Sequence, residues 1–518
     1  MERSSFAGDI APERFVEYGK RLVEWVGEYL AHPERFPVVS RARPGEIAAA
    51  LPASPPRVGE SLDDIIADFE RVIVPGITHW NHPGFFAYFS ISASAPGILA
   101  ELLTAALNVN AMLWKTSPAA TELEDRALDW LRQMLGIDAD WSGHINDTAS
   151  ISTMLALAAA REAADVGVRD LGMAGRSDLP VLRVYCSEHA HSSVDKAAIT
   201  LGIGHENVVH VASDAEFRMR PDALREAMHT DVARGMRPLA VVATVGTTST
   251  TSIDPVREIA AVAAAASAGS RTVAATASAG GRTVAATASV ARPWLHIDAA
   301  YGGTAAIVPE MRHVLDGAEL ADSIVVNPHK WLFTPIDCSV LYVKQPEILR
   351  RAFSLVPEYL VTREQSEVVN LMDYGVQLGR RFRALKLWMV IRAFGEEGLA
   401  SRIRHHCELA REFAGWVRDE PGWELMAPVP FSLVCFRHAP SGTGEAEREA
   451  LNARILEHVN VSGRVFLSHT KLNGIYTLRL AIGNIRTERR HVADAWALLR
   501  EAARIDGQAS RAPTDFVE

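Results

Sequence analysis

The chain is poor in cysteine. Four occur in 518 residues, Cys186, Cys338, Cys407 and Cys435, widely spaced and without a CxxC pair, which fits reduced thiols in a cytosolic protein better than a disulfide framework. Long apolar runs are also missing. The longest uncharged stretches, such as residues 259–270, are alanine-rich and well short of the roughly 20 apolar residues a membrane span needs. The N-terminus lacks the basic start and apolar core of a secretory leader. Neither GxxxxGK[ST] nor GxSxG occurs, so P-loop and α/β-hydrolase chemistry find no motif support. Excess positive charge is absent: 53 basic against 63 acidic side chains leave a net charge of −10, contrary to a nucleic-acid binder that neutralises phosphates.

What is present describes a large folded chain. Apolar residues make up 48% and charged residues 22%, the ordinary globular balance, and the length implies at least two domains. Phe15, Tyr18, Leu22, Trp25, Val26 and Tyr29 recur at helical steps. Ser61 with Asp64 three residues on caps a second helix through Ile65, Ile66, Phe69, Val72 and Ile73. Too few for a domain, these two helices are expected to dock on another subunit or on the main body.

From about Leu179 to Val343, short β-branched runs alternate with helical stretches. The runs are 181–186, 208–211, 239–245, 294–298, 323–327 and 339–343, with helices expected at 193–201, 221–234 and 255–265. Such alternation predicts an α/β fold with a mostly parallel sheet covered by helices, whose ligands bind at the carboxyl ends of strands. A long helix is expected over 378–394. Strands at 431–436 and 476–482 then suggest a smaller α+β domain, and residues 438–447 and the tail from 506 read as disordered. Two near-identical copies, 267–277 and 278–288, are a duplicated insertion rather than a repeat array.

Several strand ends carry candidate chemistry. Asp298 ends one strand and is followed by Ala299-Ala300-Tyr301-Gly302-Gly303, and the next strand ends in Asn327-Pro328-His329-Lys330-Trp331. A lysine and an aspartate on adjacent strand ends suit pyridoxal phosphate chemistry, in which lysine forms a Schiff base and aspartate keeps the pyridine nitrogen protonated. An ion pair at a sheet edge is the plainer alternative. A third strand leads into Ser187-Glu188-His189-Ala190-His191, where a histidine can stack on a ring or move a proton; His189 itself reads as a surface-loop residue. No further ligands support a metal there, and no metal is expected. Thr247 ends a fourth strand and suits either a cofactor contact or a helix cap. Asp147-Thr148-Ala149-Ser150 opens a helix through Arg161, where free N–H groups and two hydroxyls would meet an anion. His405-His406-Cys407 reads as a solvated helix face.

Taken together, the motifs around Lys330, Asp298 and His191 resemble the aromatic-L-amino-acid decarboxylase family, the group II pyridoxal phosphate-dependent decarboxylases. The resemblance runs from about Phe15 to Leu499 and includes His82-Pro83-Gly84-Phe85-Phe86-Ala87-Tyr88-Phe89, Ser117-Pro118-Ala119-Ala120-Thr121-Glu122-Leu123-Glu124 and Leu378-Gly379-Arg380-Arg381-Phe382-Arg383. It implies a fold type I pyridoxal phosphate-dependent transferase domain at 81–375, an N-terminal helical dimerisation segment at 1–80, a small C-terminal domain at 376–505 and a tail at 506–518.

The resemblance also implies roles. Lys330 would be the Schiff-base lysine, Asp298 the partner of the pyridine nitrogen and His191 the ring-stacking residue. Thr148, Ala149, Ser150, Asn327 and His329 would bind phosphate or line the site, with Thr247 near the pyridoxal 5'-phosphate. Tyr359 matches the tyrosine of a mobile catalytic loop, and Lys330, Tyr359 and His191 form the expected catalytic set. Trp80, Tyr88, Phe89, Ile91, Asn110 and Met112 fall at substrate-pocket positions. The expected enzyme is a cytoplasmic homodimer that decarboxylates an aromatic L-amino acid, without nucleic acid or membrane as partner. Activity on a glutamate-like substrate, aldehyde synthesis, or a non-catalytic member disabled by the insertion are the alternatives.

Overall fold

The computed structural model describes residues 9–268, 292–355 and 367–509. Two compact units emerge, one made of Met1–Ser90, Arg437–Leu480 and Arg486–Glu518, the other of Ile91–Phe436 and Ala481–Ile485.

The second unit is built on a seven-stranded sheet. Its strands are β1 (Ser142–Asn146), β2 (Leu182–Ser187), β3 (Val208–Val211), β4 (Arg237–Thr244), β5 (Trp294–Asp298), β6 (Ser323–Val326) and β7 (Ser339–Val343), in the order β1-β7-β6-β5-β4-β2-β3. β2, β3, β4, β5 and β6 pair in parallel, whereas β7 runs antiparallel to both of its neighbours. Every residue of β5, β6 and β7 is buried, which is why these strands read as continuous apolar runs rather than alternating ones. The alanine-rich helix Ala149–Ala163 lies against the sheet, with Leu155, Ala156, Ala159 and Ala160 in one cluster with Leu182, Val184, Ala240 and Leu341. Its small side chains permit close approach.

The six expected strands are present within a residue or two. β1 is an addition: Ser142-Gly143-His144-Ile145-Asn146 holds one large aliphatic residue and gives no periodic signal. The helix expected over 378–394 instead begins at Ala384 and continues to Asp419, with non-helical backbone at Gly395. Residues 378–383 are diverted because the backbone of Arg380 pairs with Asn110 and Ala111 and its guanidinium is buried on Glu124. On this helix His405 is half exposed, as expected of a solvated face, but His406 and Cys407 are buried. They share the inward stripe with Ile403, Ala410 and Phe413, and His406 Nδ1 accepts from Trp331 Nε1 at 2.9 Å.

In the first unit, the helices Pro12–Ala31 and Leu62–Asp68 pack through Tyr18, whose hydroxyl donates to Asp63 at 2.9 Å, and through Trp25 edge-on to Phe69. Ser61 caps the latter by accepting from Asp64 N–H. This unit joins N-terminal and C-terminal residues, set apart at 1–80 and 376–505 in the sequence reading: Val38 N–H donates to Gly463 O at 2.7 Å and Phe86 N–H to Phe466 O at 2.8 Å. Residues 438–447, expected to be disordered, are ordered because Arg437 pairs with Glu445, His438 N–H donates to Asn452, and a helix starts at Glu445. The final helix, Arg489–Ala509, runs past the start of the expected tail; Asp506 is paired with Arg454. The hairpin Ser468–Leu472 with Ile475–Ala481 turns at Asn473-Gly474, both at positive φ, as a tight two-residue hairpin turn demands.

The duplicated insertion lies outside the described residues except for its first two, which end the helix Val256–Ala268. β5 resumes fully paired, with His296, Ile297 and Asp298 opposite Val242, Ala243 and Thr244 on one side and opposite Ser323, Ile324 and Val325 on the other. Deleting one copy, residues 278–288, is therefore expected to leave the thermal midpoint and turnover nearly unchanged, since halving a loop alters closure entropy by only about 0.6 kcal/mol. Loss of more than about tenfold in turnover would show that the insertion supports β5.

Candidate active site

Asp298 sits at the carboxyl end of β5, and its backbone pairs with Thr244 of β4 and Val325 of β6. The carboxylate accepts from Ala300 N–H at 3.1 Å, which holds it at the turn. Beyond it the chain must pass close to β4. Gly246 has φ +91°, a Cβ on it would meet Gly302 N at 2.9 Å, and one on Gly302 would meet Val245 O at 2.6 Å. Glycine is required at both places.

Lys330 lies in the short helix Pro328–Trp331, with proline at its first position and Lys330 N–H donating to Asn327 O at 3.0 Å. Its flanks are fixed. Trp331 stacks on Tyr301 at 4.8 Å, and Tyr301 shares a 2.6 Å hydrogen bond with Ser432. His329 Nδ1 accepts from Cys338 N–H at 2.9 Å. The stack thus joins the segment after β5 to the one after β6. Trp331 was noted in the sequence only as part of a motif, and no periodicity pointed to Ser432 or His406 as its supports.

The Asp298 charge acts on both Lys330 and His191. Burial lowers the Lys330 pKa, while the Asp298 charge acts against that. Burial also lowers His191, with Asp298 raising it and Lys330 lowering it further. His191 is exposed, and its Nδ1 accepts from Ser193 N–H at 3.1 Å, so in the neutral ring the proton rests on Nε2. His189, expected on the surface, is half-buried and edge-on to Phe217.

The other predicted residues fall into two groups. Thr148 precedes the helix Ala149–Ala163, whose first turn offers N–H groups at Ala149 and Ser150 to an anion. Asp147 folds onto Thr148, accepting from its N–H at 2.5 Å and its hydroxyl at 3.0 Å, and Gln377 donates to the same carboxylate. Asn327 and His329 are buried beside Lys330. By contrast, Thr247 spends its hydroxyl on its own turn, meeting Thr250 Oγ1 at 2.9 Å and Ser252 N–H at 3.0 Å. Asn110 is likewise occupied: its Oδ1 accepts from Arg380 N–H at 2.9 Å. Ile91 and Met112 are half-buried in the same unit. In the other unit Trp80 stacks on Tyr88 at 6.0 Å, and Phe89 is buried. Tyr359 lies outside the described residues.

The donor set suits pyridoxal phosphate. Among the described residues, Asn327 Oδ1, Thr244 Oγ1 and Ser193 Oγ are buried without a hydrogen-bond partner, an uncommon cost unless something else occupies the site. All three adjoin Lys330, Asp298 or His191 in sequence or register.

The family profile described as Pyridoxal-dependent decarboxylase conserved domain matches residues 44–439. The chain belongs to this decarboxylase family. Its relatives include tryptophan decarboxylase 2 of Oryza sativa subsp. japonica, 40% identical over 504 residues and 95% of each chain. Phenylacetaldehyde synthase of Arabidopsis thaliana is 39% identical over 501 residues, 95% of this chain and 96% of that one. Among solved structures, Oryza sativa TDC with PLP and tryptamine superposes with a TM-score of 0.88 at 35% identity, covering 97% of this decarboxylase and 100% of that chain.

Burial in this decarboxylase also sets its pH range. His82 and His296 are held down at about 4, His329 and His406 at about 3, and His144 well below the ordinary value, in each case chiefly by burial. Unfolded histidine titrates near 6.5, so below that pH the unfolded chain takes up protons the folded chain refuses, and stability falls. Asp254, pushed up to about 6 by burial, opposes this as a single group. The urea midpoint is expected to drop from pH 7 to pH 5, each histidine costing up to about 1.4 kcal/mol per pH unit. An unchanged midpoint would mean that these rings accept protons within the fold.

Proposed function

We infer that the chain is a pyridoxal phosphate-dependent decarboxylase of an aromatic L-amino acid, releasing the amine and carbon dioxide. The observation that carries this reading is the placement of Asp298 and Lys330 at the carboxyl ends of the adjacent strands β5 and β6, with the Asp298 charge acting on both Lys330 and His191. Tryptophan and tyrosine decarboxylases among its relatives support the aromatic class.

When bound, pyridoxal phosphate supplies an electron-withdrawing ring that takes up the electron pair left as the carboxylate departs. Lys330 would hold the cofactor covalently, and its lowered pKa leaves more of the amine neutral and nucleophilic than in an ordinary lysine. Asp298 would hold a proton on the pyridine nitrogen by its charge. Ser150, Ala149 and Thr148 would bind phosphate at the helix N-terminus, with Asn327 and His329 lining the wall and Thr247 supporting the turn beside it. His191 would lie against the cofactor, with a transferable proton at Nε2. Tyr359 would donate the proton that completes the amine.

The purified holoenzyme should form amine and carbon dioxide from phenylalanine, tyrosine, tryptophan or dihydroxyphenylalanine, and none from glutamate. Amine from glutamate alone would overturn the aromatic assignment. Phenylacetaldehyde synthases among the relatives make aldehyde formation the second reading; aldehyde with peroxide from the wild type would establish it. Tyr359→Phe is expected to cut amine formation by about 10²-fold and to divert product to aldehyde.

A homodimer is part of this reading. Exposed Phe15, Val16, Leu22 and Val23 on one helix, and Leu99, Leu102, Leu103 and Leu107 on another, offer apolar faces for a second copy. Sedimentation at a single chain mass would refute it. The four cysteines are free and buried, which supports a reducing, cytoplasmic setting, and cell fractionation tests it. Among the described residues no helix is long and apolar enough to cross a membrane.

A further inference from the structure

We propose that Asp195, His205 and His210 form a binding site for one divalent transition-metal ion, with zinc the best match. The three come from consecutive elements: Asp195 on the helix Ser193–Thr200, His205 in the 3₁₀ turn His205–Asn207, and His210 on β3. Both imidazole Nε2 atoms converge on one carboxylate oxygen, at 3.3 Å from His205 and 3.1 Å from His210. Zinc binds nitrogen at about 2.0–2.1 Å and oxygen at about 2.0–2.2 Å, so a tetrahedral centre sets its ligand atoms about 3.3 Å apart. The observed separations match that edge. All three ligand atoms lie within 4.8 Å of one another, so one ion would contact all of them after a small adjustment of the two exposed imidazoles, leaving the fourth position to water.

The frame is braced before any ion arrives. Arg183 donates to Glu206 O at 2.7 Å and to Asn207 Oδ1 at 3.1 Å, and Asn207 Nδ2 donates to Ile203 O at 2.7 Å, which holds the turn carrying His205. His210 Nδ1 meets the Cys186 sulfur at 3.8 Å, so the ring turns its Nε2 toward Asp195. Such support behind a ligating imidazole orients it. Two imidazoles and a carboxylate suit zinc rather than magnesium or calcium, which prefer all-oxygen shells. The ion would clamp the helix that follows His191 onto β3. This assignment does not depend on the decarboxylase reading.

The test uses untagged holoenzyme, equilibrium dialysis against Zn²⁺ with metal analysis, and thermal melts with and without Zn²⁺. Cobalt supplies a spectroscopic probe of tetrahedral ligation. Wild type is expected to retain one equivalent more than His205→Gln/His210→Gln, to melt higher with Zn²⁺, and to show intense visible Co²⁺ bands that the variant lacks. Asp195→Asn is expected to weaken binding at least about tenfold. Metal-free turnover should be the same in all three proteins. Equal zinc content and equal thermal shifts in wild type and double variant would overturn the proposal and leave two histidine–carboxylate hydrogen bonds in its place.

Discussion

Lys330→Ala is expected to abolish the visible absorbance of lysine-bound cofactor and to lower turnover by on the order of 10⁴-fold or more, the loss typical of removing a covalent catalyst. The supports of Lys330 lie in its neighbours: Trp331 on Tyr301, His329 on Cys338 and the Asn327 carbonyl. The alanine variant should therefore fold, with a thermal midpoint close to that of apo wild type. Turnover within about tenfold of wild type would exclude Lys330 as the cofactor lysine. A variant that fails to fold would be resolved by Lys330→Arg, which keeps charge and bulk yet cannot take the neutral form needed for condensation.

Glu124→Ala is expected to cost about 3–5 kcal/mol of stability, because it leaves the Arg380 guanidinium buried without its counter-charge. The pair is bidentate, with its shorter contact at 2.8 Å, and the two side chains are only 2% and 4% exposed. Glu124 also accepts from Ile145 N–H at 3.0 Å, and Arg380 donates to Ile145 O at 2.7 Å. The ion pair therefore holds β1, and β1 leads directly into Asp147, Thr148 and the helix start at Ala149. Loss of the pair should weaken cofactor affinity along with folding, read as a lower urea midpoint and a raised Kd for pyridoxal phosphate. The double change Glu124→Leu/Arg380→Met should recover only part of the stability, since it removes both buried charges but leaves Ile145 N–H and C=O without these partners. A single-variant cost below about 1 kcal/mol would mean that solvent or another group takes over the charge.

The sequence motif containing Arg380 was visible while its use was not. Helical periodicity carried the expected helix back to Leu378, but one buried carboxylate more than 250 positions away, together with Asn110, holds residues 378–383 out of it. Asn110 shows the same limit from the other side. It falls at a position expected to line a substrate pocket, yet its amide oxygen is engaged on the Arg380 backbone. His406 read as solvated because its neighbours are charged, although the helix turns it inward to accept from Trp331. Asp195, His205 and His210 gave no metal-ligand spacing in the chain, and only the return of β3 beside the helix Ser193–Thr200 brings them within reach.

By itself the sequence determined the parallel α/β core, the positions of its main strands and the residues at their carboxyl ends, because buried strands and glycine-rich turns are local demands written in local composition. That sufficed to single out Lys330 and Asp298, and the family resemblance added His191. Tertiary structure decided which polar groups are free to act and which are occupied in holding the frame: Thr247 and Asn110 on backbone N–H groups, Glu124 on Arg380, Asp147 on Thr148. A hydrogen bond between residues hundreds of positions apart leaves no periodic trace, yet inside a protein such groups must be paired, and that pairing settles where each of them can act.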